Sequence, residues 1–135
     1  MSKPEYALEA AKWLRYAQED LRAAEAMLGQ SAVAPRHVCF LAQQAVEKSL
    51  KAVLIFSQIR FPFRHDLDQL RNLIPEGWSV CDRSIDLAEL TEWAVDARYP
   101  VADEDPTSQD AQQSVELARL VCRLVVSDLL KQGLD

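Results

Sequence analysis

Glycine is scarce in this 135-residue chain. Three residues, Gly29, Gly77 and Gly133, cannot assemble a glycine-rich phosphate loop, which excludes P-loop and dinucleotide-fold chemistry. Cysteine is equally thin. Cys39, Cys81 and Cys122 are odd in number and far apart, so neither a disulfide framework nor a CxxC zinc site is available, and a reducing, cytoplasmic setting is expected. No run approaches the ~20 apolar residues of a membrane span, and MSKPEYALEAAKW lacks the apolar core of a signal peptide. The expectation is therefore a protein with no membrane contact, no metal and no cofactor. Positive charge is also in deficit. Fifteen Lys and Arg against 21 Asp and Glu leave a net charge of −6, so any grip on nucleic acid needs a local basic patch. Period-two alternation, fixed repeats and low-complexity tracts are missing too, which sets aside strands, solenoids and tethered tails.

What remains is rich in Ala, Leu, Glu, Gln and Arg, and it favours helix nearly everywhere. A chain of this length buries roughly two-thirds of its extended surface, enough for one core and one domain over residues 1–135. From Pro4 onward, Ala7, Ala10, Leu14, Ala17, Leu21, Ala24 and Leu28 form an apolar seam at helical spacing that stops at Gly29. Pro35 opens a second helix whose seam is Val38, Leu41, Ala45, Ser49, Ala52, Val53 and Phe56, ending before Pro62. A short helix is expected over His65–Ile74, stopped by Pro75 and Gly77. A fourth, capped by Asp82 or Ser84, carries Ile85, Ala88 and Trp93 as far as Arg98 before Pro100. Thr107 or Ser108 starts the last, with Ala111, Val115, Ala118, Val121 or Cys122, Val125 and Leu129 on one face, ending near Gly133. The fold class expected is all-α: an up-down antiparallel helical bundle of four main helices plus a short one. Aromatic residues left over at its ends can cover a dimer face.

Three places carry chemistry. In AQQAVEKSLKA, Lys48 or Lys51 can contact phosphate, whereas the plain alternative is a solvated face with Glu47 and Lys51 as an i,i+4 pair. In FRHDLDQL, Asp66 caps a helix start, and Arg64 and His65 beside the free amides can hold an anion. Arg60 and His65 also stand as R-x4-H, a pair able to support RNA cleavage by proton exchange at the imidazole and charge stabilisation at the guanidinium. In DARYP, Arg98 suits a helix end and Tyr99 can stack or hydrogen-bond. Structural readings stand beside each, as caps and packing. His37 reads as a surface residue, the cysteines as core fillers and VADEDP as a solvated loop.

Together, WLRYAQEDLRAAEAML, CFLAQQAVEKSLKAVLI, HDLDQL and ARYP resemble the HEPN domain family over nearly the whole chain. The resemblance implies a helical bundle that binds nucleotide, often as a homodimer and often beside a minimal nucleotidyltransferase partner in a toxin-antitoxin-like module. Carried over by position, it makes Lys48, Lys51, His65, Asp66, Arg98 and Tyr99 the nucleotide-binding set, with a nucleotide such as ATP as ligand and Tyr99 or Trp93 offering a face to the base. Some HEPN relatives are ribonucleases with R-x4-6-H near the later helices and a tyrosine two residues past the histidine. Here Arg60 and His65 fall in the connection after the second helix, and Leu67 stands where that tyrosine is expected. A metal-independent endoribonuclease acting on RNA is accordingly the alternative, and a purely structural interaction module the third reading.

Overall fold

Small side chains set the spacing of the first two helices. Ala7, Ala10, Ala17 and Ala24 are the buried residues of α1 (Glu5–Met27), while Leu14 and Leu21 on the same seam are half-buried, so α1 lies close along α2 (Pro35–Phe56). The computed structural model describes residues 4–62, 66–91 and 105–134. The turn between α1 and α2 needs left-handed backbone at Gly29 (φ +81°), and Pro35 takes the first turn of α2, where no amide donor is required.

Thirteen of the 22 residues of α2 are buried, which makes it the central helix rather than the one-sided helix its seam predicts. The reason lies outside its own sequence. α1 covers one flank, α4 (Ser108–Lys131) another, and the short α3 (Leu67–Asn72) packs against it as well. α1 runs antiparallel to α2, with Tyr6 against Phe56 near opposite termini. α4 runs parallel to α2: Ser114 Oγ donates to Cys39 Sγ (3.7 Å), and further along Cys122 Sγ meets Ser49 Oγ (3.2 Å). The chain leaves α2 through a left-handed residue that is not glycine, Gln58 (φ 58°), with Ile59 N donating to the Leu54 carbonyl (2.9 Å).

Asp66 caps α3 as expected, accepting from the Gln69 amide (3.2 Å). Past Pro75, a 3-10 turn over Ser79–Cys81 is pinned to α4, since Asp128 accepts from Ser79 N (2.6 Å) and Ser79 Oγ (2.9 Å). Arg71 fixes the following loop by donating to the carbonyls of Asp82 (3.3 Å) and Ile85 (2.7 Å) and to Asp68 (3.1 Å). These bonds move the next helical start. Asp82 instead closes a turn on Ser84, residues 88–91 are helical, and Asp86 accepts from the Ala88 amide (3.0 Å), so neither Asp82 nor Ser84 is the cap. Ile85, Leu87 and Leu90 are buried there, and Ala88 is exposed. The rest of the expected fourth helix, with Trp93, Arg98 and Tyr99, lies outside the described residues.

α4 begins with a reciprocal capping box: Thr107 Oγ1 accepts from Asp110 N (3.1 Å), and Asp110 Oδ2 accepts from Thr107 N (2.8 Å). Every residue of its expected seam is buried. Among the described residues there is no strand, and no helix is long and apolar enough to cross a membrane.

Candidate functional site

Residues four apart on a helix stack on one face, so Gln43, Glu47 and Lys51 form a row along α2. Polar residues in such a row ordinarily face water, yet all three are buried. Gln44 Nε2 donates to Gln43 Oε1 (2.8 Å), Gln43 Nε2 to Glu47 Oε1 (3.4 Å), and Lys51 Nζ to Glu47 Oε2 (3.1 Å). The i,i+4 pair read from the sequence is present, but the solvated face is not. Glu47 is 3% and Lys51 4% exposed. The Lys51 ammonium lies 5.6 Å from the centre of the Trp13 ring on α1 and 5.7 Å from that of Phe61. Trp13 is itself anchored, donating from Nε1 to Glu9 (3.2 Å).

This pair is a strong constraint. A charge withdrawn from water is tolerated only with a partner, and removing one member of such a pair typically costs ~3–5 kcal/mol. Lys48, on the neighbouring face, pairs with Asp20 of α1 (2.5 Å) and is half-buried. Both candidate lysines thus point toward α1, and each already meets a carboxylate.

Arg60 is exposed and precedes Phe61 in the segment that passes Lys51. Asp66 is the α3 cap. The structure therefore gathers Lys51, Trp13 and Phe61, with Arg60 adjacent in the chain, and sets Lys48 apart against Asp20. His65, Arg98 and Tyr99, like Arg64 and Trp93, lie outside the described residues. Sequence reasoning missed Trp13 and Phe61 as neighbours of Lys51. A tryptophan bordering an alanine seam was the available signal, since a large ring beside small residues lies over whatever the next helix presents.

A concavity of about 840 Å³ lies between the stretch over residues 71–85 and the α4 leucines Leu120 and Leu124. Arg71 lines it, and its Nε has no partner among the described residues. Its other nitrogens hold Asp68 and two carbonyls, and Glu76 and Asp82 offset the charges of Arg71 and Arg83 in the wall. That wall offers an anion little net attraction. The thiols are poor nucleophiles. Burial pushes Cys39 up to about 11 and also raises Cys122 and Cys81. Among the described residues, no group of three or more His, Cys, Asp and Glu is placed to hold a metal ion.

Comparison with known proteins places this geometry in a family. The chain matches the HEPN domain over residues 10–129. Among solved structures, it is similar to TT1696 from Thermus thermophilus, with a TM-score of 0.73 at 27% identity, covering 87% of this chain and 96% of that one. ST0689, an archaeal HEPN homologue, shares the fold with a TM-score of 0.67 at 22% identity, covering 88% and 96% of the two chains. No curated protein sequence matches. The matched stretch takes in most of α1, all of α2 and α3 and nearly all of α4, and the chain belongs to the HEPN domain family.

Proposed function

We propose that the protein is a nucleotide-binding regulatory member of the HEPN family. In this reading it acts as a homodimer with a minimal nucleotidyltransferase partner in a module of the toxin-antitoxin type, and it takes a nucleotide such as ATP near the C-terminal end of α2. The observation that carries the reading is the meeting of the Lys51 ammonium with the Trp13 ring of α1 and with the Phe61 ring beyond the end of α2. A cation suits phosphate oxygens, and aromatic faces suit a base. Lys48, less than one turn away on α2 and paired with Asp20, is the second lysine of the expected set. His65, Asp66, Arg98 and Tyr99 complete the set on the strength of their positions in the sequence.

Isothermal titration of ATP, GTP and AMP into the full chain tests this, beside an Arg98→Ala variant checked for folding by circular dichroism. Saturable binding weakened about tenfold or more by Arg98→Ala is the expected result. No heat for any nucleotide with folded wild type would reject nucleotide binding. RNA cleavage by the same preparation, lost in His65→Ala, would then install the ribonuclease reading in its place.

A further inference from the structure

The outer face of α1 meets water. Opposite the buried alanines, Glu5, Leu8, Glu9, Lys12, Arg15 and Tyr16 follow one another along one side of the helix, and all six are exposed. Leu8 is 53% and Tyr16 39% exposed, so this side presents two large apolar side chains to solvent. Charge along the stripe is segregated. Glu5 and Glu9 take one end and Lys12 and Arg15 the other, which makes the stripe complementary to its own reverse. Glu19, the next acid along, lies 3.9 Å from Arg15 in a pair too exposed to hold it. Shape follows the same division. At the basic end Tyr16 carries two cations, with Lys12 Nζ 5.8 Å and the Arg15 guanidinium carbon 5.4 Å from the centre of its ring. At the acidic end a concavity of about 670 Å³ is lined by Tyr6 and, from α2, Ile55, with Glu5 and Glu9 also in its wall.

Resting on the homodimer of the reading above, we propose that this stripe of α1 is the face by which two copies of the chain pair, antiparallel and about a two-fold axis level with Ala10 and Ala11. Residues equidistant from that axis then meet. Glu9 faces Lys12, and Glu5 faces Arg15 and Tyr16, each contact occurring twice by symmetry. Each Tyr16 arrives at the concavity beside Tyr6 of the other copy, and the cations around its ring arrive at the acids of the wall. Leu8 lies close to the axis and leaves water with them.

Sedimentation equilibrium on the full chain decides it through a charge exchange, with thermal unfolding run on each variant. Lys12→Glu/Arg15→Glu and Glu5→Lys/Glu9→Lys each set like charges together when the variant pairs with itself. Each should therefore associate about a hundredfold or more weakly than wild type and sediment as a monomer where wild type is a dimer. Mixed in equal amounts, the two should recover a dimer of one copy each, because every acid again meets a base. With wild type dimeric, a dimer that survives either reversal, or a mixture that stays monomeric, overturns the α1 face and leaves the homodimer standing. A monomeric wild type overturns both. Should Glu5→Lys/Glu9→Lys fail to fold for want of the Glu9 bond to Trp13, Leu8→Lys decides instead: a monomer supports the face, and an intact dimer overturns it.

Discussion

A left-handed backbone costs an L-residue with a Cβ about 1–2 kcal/mol, and Gln58 bears that cost at the end of α2. Glycine has no such penalty, though it loses more freedom on folding. Gln58→Gly should therefore stabilise the protein by about 0.5–1 kcal/mol, read as a higher urea midpoint with an unchanged slope. An unchanged or lower midpoint would mean that the Gln58 side chain contributes more than its backbone costs. At this scale the sequence was least legible. Glycine and proline mark chain reversals visibly, as at Gly29 and Pro35, but nothing in Gln58 announces a left-handed cap. Lys51 is similar. Its spacing from Glu47 showed the pair, whereas its burial depends on Trp13 and Phe61 from elsewhere in the chain. Asp66 was readable because its role is local, to the amide three residues on.

Helices were more legible than residues, because each seam is written within one element. The α4 seam from Ala111 to Leu129 is buried throughout, and the alanines of α1 are its buried residues. The start of the segment at 88–91 was not readable. It depends on Arg71 reaching across to the carbonyls of residues 82 and 85, a contact without periodicity. The alanine seam has an energetic consequence that propensity alone would reverse. Leucine is nearly as good a helix former as alanine, yet Ala17 is wholly buried where α1 lies on α2. Extra methylenes there force the helices apart, so Ala17→Leu should destabilise by ~1–3 kcal/mol in urea unfolding. Neutral or stabilising behaviour would show slack between α1 and α2.

For the molecule as a whole, all-helical class and element order followed from composition and seams. The packing of α2 against α4 did not: the up-down order already sets the two parallel, but a seam says that a face is buried and not which face it meets. That pairing encloses Cys39 and Cys122, and the fold as a whole thereby gains a pH dependence. Folded thiol pKa values are raised, Cys39 to about 11, so the unfolded chain ionises first. The associated stability is complete below the unfolded value near 9 and is lost as pH rises through 11. Urea midpoints should fall across that window. Cys39→Ala should remove on the order of 2 kcal/mol of the alkaline loss. Parallel pH profiles for the two proteins would sink the assignment.

The enclosure of α2 also governs how the chain can come apart. Its neighbours are α1, which precedes it, and α3 and α4, which follow it, so no cut yields a half that keeps this helix covered. A fragment ending at residue 62 would present to water the face of α2 that α4 now covers, Cys39 and Ser49 included. Folding is consequently a commitment of both halves at once, and α2 becomes the last helix whose amides open to exchange.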